Sequence, residues 1–292
     1  MSTAAVTYIG RYRLVNPVYL GATTQLWQAF CDSTSQFIAL KLLLEKFRRD
    51  REQIRSLKWE FTVASQFDDE RIIKVFEFSI DRGVPFLAME WFNGSNMKTI
   101  IRKGVDEYAP FVRKMVFQCI EAVSYLHRQG FVHRDIKPEN FLVSPEAEIK
   151  LIDFALCRKM GPRILWYFRP KSKIQGTCSY MSPEQILNRP LDGRADLYSL
   201  ACTIFELVCG KPPFTGMNQT ELLNKHLKAA PPPLEAYNPN VHPEFSRIIQ
   251  RALAKRPADR FKSIGEFAGA LYDVPVFKVP PPDEVPVQLS LA

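Results

Sequence analysis

The sequence predicts an α+β chain in which strands come first and helices follow, and three patterns support that. From Tyr12 to about Glu90, short apolar runs alternate with a single helical stretch. After Trp91 the apolar residues recur at three- and four-residue steps, the period of a helix with one buried face. The chain has 292 residues, 46% of them apolar, enough to bury a substantial core as one two-lobed domain.

The elements follow in order. Phe37 to Leu43 is an apolar run broken by Lys41, a strand whose ammonium is costly to bury unless it meets anions. Residues 46 to 67 read as the one helix of this half and carry Glu60, either a partner for Lys41 or an exposed acid among Arg55 and Lys58. Phe86 to Trp91 is the last strand of the half. Val112, Met115, Val116, Cys119, Ile120, Val123 and Leu126 then mark one face of a helix that ends near Gly130. Ile149 to Ile152 is a strand ending in Asp153. Leu197 to Val208 is apolar nearly all round, as a central helix is, and Gly210-Lys211-Pro212-Pro213 stops it. Pro231 to Pro233 is a loop, and helices resume from Pro243. From Val274 onward, five prolines in nineteen residues predict an extended, mobile tail, either a linker or a ligand for a proline-reading module.

Residues 133 to 140 read His-Arg-Asp-Ile-Lys-Pro-Glu-Asn and carry the most specific chemistry. An acceptor hydroxyl needs a base to orient it and take its proton, which suits Asp135. A migrating phosphoryl group needs a cation, which suits Lys137, and its metal needs oxygen ligands, which suit Asn140. A polar loop that only caps a helix has no need of eight residues in this order.

This octapeptide resembles the catalytic loop of protein kinases, and companion motifs follow in the family's order. The resemblance implies a bilobal protein kinase fold: a small, mainly antiparallel β lobe with one key helix, and a large, mainly helical lobe. It implies ATP and Mg2+ (or Mn2+) as cofactors. Lys41 would hold the nucleotide phosphates and pair with Glu60, while Asn140 and Asp153 would bind the metal. Met89 would guard the rear of the adenine pocket, the backbone of Glu90 and Trp91 would meet the base, and Leu26, Ala39 and Leu142 would sandwich it. Gly176 to Gln185 looks like the substrate shelf. By the same pattern Asp196 braces the catalytic loop and Glu184 pairs with Arg260. Lys137 together with Thr177 is similar to the serine/threonine-directed branch, so protein hydroxyls are the expected acceptors, the chain's own among them, in signalling. The resemblance spans Tyr12 to about Asp273 and divides the chain into an extension (1–11), the small lobe and hinge (12–91), the large lobe (92–273) and the tail (274–292).

Two departures stand out. The nucleotide-covering hairpin of the family carries three glycines so that backbone amides can approach phosphates. Here Tyr19 to Thr24 keeps only Gly21, which predicts a stiffer and bulkier loop. Ala155 stands where the family has the glycine of Asp-Phe-Gly, a strain of about 1 to 2 kcal/mol if that residue takes positive φ. Every charged group of the set is present, so the expectation is a slowed enzyme. The alternative is a pseudokinase that binds nucleotide or partners without turnover.

The remaining features narrow the class. No run of some eighteen uncharged apolar residues occurs, so no membrane span is expected. The amino terminus lacks a secretory pattern, and six cysteines without paired metal-ligand spacing fit a cytoplasmic protein. Cys178, beside Thr177, is either a plain structural thiol or a redox sensor. The net charge is +8, and Asp153 to Glu184 contains Arg158, Lys159, Arg163, Arg169, Lys171 and Lys173 with no acid between. Such a loop seeks anions; by resemblance Arg134 would pair with a phosphorylated residue there, with Ser172 as the candidate. Ile164 to Phe168 either packs back on the large lobe or forms a docking patch for a partner or a second copy. The aromatic run is not interleaved with charges, so nucleic acid is not an expected partner.

Overall fold

The computed structural model describes residues 7–161 and 177–286. The chain divides into two compact units, residues 1–93 with 153–155, and residues 94–152 with 156–292. The division falls two residues beyond the hinge end read from the sequence, and it returns Asp153, Phe154 and Ala155 to the first unit.

The first unit is an antiparallel sheet with one long helix. Its strands are β1 (Tyr8–Ile9), β2 (Tyr12–Leu20), β3 (Thr24–Cys31), β4 (Gln36–Leu43), β5 (Val75–Asp81) and β6 (Val84–Glu90), in the order β1-β2-β3-β4-β6-β5. Side chains alternate across a strand, so β4 serves two faces. Ile38, Leu40 and Leu42 join Tyr12, Ala29, Phe86 and Ala88 in one apolar cluster. Leu43 and Leu87 join Leu57 of helix α1 (Arg51–Ala64) in the other, with Ile54, Phe61 and Met89 packed against them. Helix α1 is shorter than the expected 46 to 67. The Asp50 carboxylate accepts from the N–H groups of Glu52 and Gln53 and caps the helix there, while Glu45–Phe47 forms a separate 3-10 turn.

The second unit begins with β7 (Ser95–Asn96) and helices α2 (Met97–Ile101), α3 (Val105–Tyr108) and α4 (Val112–Arg128). Strands β8 (Phe131–Val132), β9 (Phe141–Val143), β10 (Ile149–Leu151) and β11 (Arg158–Lys159) pair as β10-β9-β7 and β11-β8. Among the described residues the helices that follow are α5 (Pro183–Ile186), α6 (Gly193–Cys209), α7 (Gln219–Lys228), α8 (Pro243–Ala252) and α9 (Ile264–Leu271). Helix α6 is buried at every position from Ala195 to Val208. Its neighbours include α4, α8 and α9, which is why it is apolar all round. Gly210 at φ 75° ends it in the left-handed conformation that glycine adopts without strain.

The proline-rich segment differs from its expectation. Val276 and Phe277 are buried, His242 N–H donates to the Val276 carbonyl at 2.9 Å, and Arg113 donates to the carbonyls of Tyr272 and Val274. From Val274 to Val279 the segment is therefore tied to the helices, and after a turn at residues 282–283 the Val285 N–H donates to the Pro110 carbonyl. Proline removes donors, yet each of these contacts uses a carbonyl or the N–H of a residue other than proline.

Candidate active site

In the first unit three charged residues meet on the α1 side of the sheet. Lys41 lies on β4 between Leu40 and Leu42, and the strand alternation that sends those two into the apolar cluster sends Lys41 to the opposite face. Glu60 lies on α1 in the buried series Leu57, Glu60, Ala64, whose spacing keeps all three on one side of the helix. Lys41 Nζ donates to both carboxylate oxygens of Glu60, at 2.9 and 2.8 Å, and Asp153 Oδ1 lies 3.5 Å from the same nitrogen. Burial opposes the Lys41 charge, but Asp153 and Glu60 outweigh it and hold the ammonium above the usual lysine range. Burial together with Asp153 pushes Glu60 upward, with Lys41 offsetting part of the rise. Two carboxylates thus share one ammonium, and the Asp153 side chain keeps 37% of its surface exposed.

Asp153 itself takes the left-handed conformation, φ 66°. Ala155 is not among the positive-φ residues, so the strain expected there is absent. The turn is made one residue before the Phe154–Ala155 pair, by an aspartate, a residue type that tolerates this region better than most. Phe154 is buried with its ring 5.5 Å from that of Phe67, which anchors the turn.

The register of the sheet places the other residues of this unit. Leu26 pairs with Lys41 and Gln28 with Ala39, so Leu26 and Ala39 lie on the Lys41 face. Met89 pairs with Ala39. Glu90 N–H donates to the Lys74 carbonyl at 2.9 Å, so its N–H is already engaged. Trp91 follows the strand end. Gly21 closes the β2–β3 turn, its N–H donating to the Thr24 carbonyl at 2.8 Å. A Cβ at this position would stand 3.2 Å from that oxygen. Tyr19, in place of the family's first glycine, is 68% exposed, while Thr24, in place of the third, is half-buried.

In the second unit the octapeptide forms a braced loop. Asp196, fully buried in the first turn of α6, accepts from the N–H groups of His133 at 2.7 Å and Arg134 at 2.8 Å, and from His127 Nε2 at 2.9 Å. Asp135 follows. Its Oδ2 accepts from Lys137 Nζ at 2.6 Å and Asn140 Nδ2 at 3.2 Å, and its Oδ1 from Thr177 N–H at 3.0 Å and Oγ1 at 3.2 Å. Lys137 Nζ also donates to Thr177 Oγ1 at 2.7 Å. Asn140 Nδ2 bonds the Asp135 carbonyl too, at 2.8 Å, which commits the amide nitrogen and leaves Oδ1 as the atom available to a cation. Leu142 lies next, on β9.

After Thr177 the shelf turns into α5 through a capping box in which Ser182 and Gln185 bond each other's backbone N–H. Glu184 and Arg260 pair bidentately at 2.7 and 2.9 Å, and the guanidinium is fully buried. Cys178 Sγ accepts from Gln219 Nε2 at 3.0 Å. No disulfide forms, all six cysteines being free. Ser172, Arg163, Arg169, Lys171, Lys173 and the 164–168 apolar run lie outside the described residues. Sequence reasoning missed α7, although Asn218, which caps it by accepting from Glu221 N–H, followed three residues later by that glutamate, was a usable start signal.

Comparison with known proteins agrees with this arrangement. The protein kinase domain model matches residues 12–268. A probable serine/threonine-protein kinase of Clostridium perfringens is 29% identical over 262 residues, covering 89% of this chain and 38% of that one. The serine/threonine-protein kinase PknA of Mycobacterium tuberculosis is 30% identical over 287 residues, covering 96% and 65%. The crystal structure of the Mycobacterium tuberculosis PknI kinase domain superposes with a TM-score of 0.67 at 26% identity, covering 93% of this chain and 99% of that chain. The chain belongs to the protein kinase domain family and has its fold. It spans about two fifths to two thirds of the length of these curated relatives. Both are named as kinases, which lends the pseudokinase alternative no support. Among the described residues no helix is long and apolar enough to cross a membrane.

Proposed function

We propose that the chain transfers the terminal phosphoryl group of ATP to serine or threonine hydroxyls of protein substrates, its own included. The observation that carries this reading is Thr177: a secondary alcohol bridges the carboxylate of Asp135 and the ammonium of Lys137, so a hydroxyl fits between these two groups. An acceptor hydroxyl there gives its proton to Asp135 as its oxygen bonds to phosphorus. The bond from phosphorus to the ADP oxygen breaks, and Lys137 offsets the charge on the transferring group. Lys41, held by Glu60, binds the non-transferring phosphates. Leu26, Ala39 and Leu142 take the base, with Met89 behind it and the backbone of Glu90 and Trp91 along its edge.

The donor set suits a hard divalent cation. Among the described residues no three His, Cys, Asp or Glu side chains form a metal-holding group. A carboxylate from Asp153 and the Asn140 amide oxygen match magnesium, or manganese, which takes few protein oxygens and completes its shell with phosphates and water. Bound there, the cation neutralises charge on the nucleotide's phosphates. Unbridged thiols suit a cytoplasmic setting, a role in signalling follows from the substrate class, and self-association is proposed through the Ile164 to Phe168 run between Asp153 and Glu184.

Transfer of labelled phosphate from ATP to a generic basic protein tests this. Asp135→Asn is expected to lower the rate by about 10²- to 10⁴-fold with the fold intact. An unchanged rate contradicts the assignment.

A further inference from the structure

Away from the catalytic residues, in the second unit, one lysine sits among rings and a carbonyl. Lys255 follows α8, and its Nζ lies 4.1 Å from the centre of the Phe214 ring, 3.3 Å from the Lys225 carbonyl oxygen and 3.5 Å from Tyr198 Oη. Tyr198 Oη in turn lies 3.0 Å from His226 Nδ1, and the imidazole meets the Phe214 ring edge-on. Phe214, Tyr198 and His226 are buried, whereas Lys255 is half-buried, so it is the member of the group that solvent reaches.

An ammonium in this seat lacks what other inward-turned cations of the chain have. Lys41 faces Glu60 and Arg260 faces Glu184, but among the described residues no carboxylate pairs with Lys255. Its titratable neighbours stay neutral. Burial, then the charge of Lys255 itself, holds His226 down to about 4, and burial pushes the Tyr198 phenol and the Cys202 thiol up, so Cys202 does not supply the thiolate that would favour the ammonium. The charge nearby has the same sign, since the Arg260 guanidinium stands 4.8 Å from the centre of the Tyr198 ring. The face of Phe214 attracts the ammonium, yet a ring replaces only part of the water that burial removes. Burial, helped by Arg260, brings Lys255 down to about 8. Near neutral pH a sizeable share of this amine carries a free lone pair, the condition for a nucleophilic lysine.

We propose that Lys255, seated on Phe214 and the Lys225 carbonyl with no carboxylate partner, is a modification site that takes a small acyl group directly from an activated donor, an acyl phosphate or an acyl thioester. The neutral Nζ attacks the acyl carbon and the N–C bond forms. The bond from that carbon to the phosphate oxygen or thiol sulfur breaks with its electron pair, and the proton shed by nitrogen passes to the leaving group. The product suits the seat: its amide N–H keeps a donor for the Lys225 carbonyl, its carbon chain rests on Phe214, and no charge remains buried beside Arg260. Helix α7, which carries Lys225 and His226, also packs on the 3-10 turn Cys178–Tyr180 of the shelf, so the mark lies one helix away from the acceptor side. The reaction uses no ATP and is independent of the phosphoryl transfer proposed above.

The test treats the native full chain with acetyl phosphate, and separately with acetyl-coenzyme A, at low conversion, and follows each lysine by peptide mass spectrometry. Near neutral pH, Lys255 is expected to be acetylated about tenfold faster than the exposed Lys46, Lys58 and Lys103, its larger free-amine fraction being offset in part by burial and lower basicity. Its rate should level off above about pH 8, while the exposed lysines keep accelerating toward about pH 10. In urea the preference should vanish. Selectivity with either donor supports the assignment, and the donor that gives it names the source. Labelling of Lys255 no faster than the exposed lysines with both donors, a rate that climbs alongside theirs throughout, or a preference that survives unfolding overturns the inference, whatever the outcome for kinase activity.

Discussion

At the scale of single residues, the carboxylates are sorted by what surrounds them. Asp196 is buried, and burial opposes its charge, yet the hydrogen bond and charge of His127, with the Arg134 N–H, hold its carboxyl below the ordinary value of 3.8. A depressed folded-state pKa contributes stability that is fully present above that ordinary value and is lost as pH falls from there through the folded value. Asp196→Asn should flatten the acid limb of a stability-against-pH curve in that window, as read by acid titration of circular dichroism. It should also loosen the His133–Arg134 backbone. Lys41 presents the converse case, since its removal strands Glu60. Lys41→Met is expected to destabilise the chain by about 3 to 5 kcal/mol, and Lys41→Met with Glu60→Leu to recover most of that, measured by urea unfolding. Ala155, away from positive φ, gives a third expectation. Ala155→Gly should destabilise by about 0.4 to 1 kcal/mol through the freer unfolded chain, where a strained alanine would instead have been relieved.

At the scale of elements, the pair between Glu184 of α5 and Arg260 ties the shelf to the helices that follow it. Arg260 also donates to the carbonyls of Ala254, Lys255 and Arg194, so the guanidinium is saturated and fully buried. Glu184→Ala leaves that charge uncompensated and should lower stability by about 3 to 5 kcal/mol, seen as a large fall in the thermal midpoint. How far the sequence spoke for each element depended on whether its cause was local. Strand β4 and helices α4 and α6 could be read because one periodicity governs each of them. The start of α1 could not, since Lys46 to Arg49 continue a helical composition and only the Asp50 cap decides otherwise. The proline-rich tail misled for a related reason: its composition reports the lack of helical donors, while its placement is set by Val276, Phe277 and carbonyl contacts made across a large sequence separation. The bond between Thr177 and Asp135 joins residues 42 apart, and the motifs of the family placed Thr177 on the shelf without foreseeing it. The contact between Lys41 and Asp153 left no local trace at all.

At the scale of the whole molecule, the charged groups divide into two sets, Lys41, Glu60 and Asp153 in one unit and Asp135, Lys137 and Asn140 in the other. Each set is held by partly buried hydrogen bonds and ion pairs within its own unit. Binding of ATP with magnesium should stabilise the native chain by about 2.7 kcal/mol at a hundredfold excess over its dissociation constant, and far less in Lys41→Met at the same concentration, as read from thermal midpoints. The central claim is that the Asp135 loop performs turnover and does not merely hold a nucleotide. Intact-mass measurement of the chain after incubation with saturating ATP and magnesium tests it most directly. The native chain should gain the mass of one or more phosphoryl groups and Asp135→Asn none, whereas an unmodified native chain that also leaves an added basic protein unmodified would contradict the account.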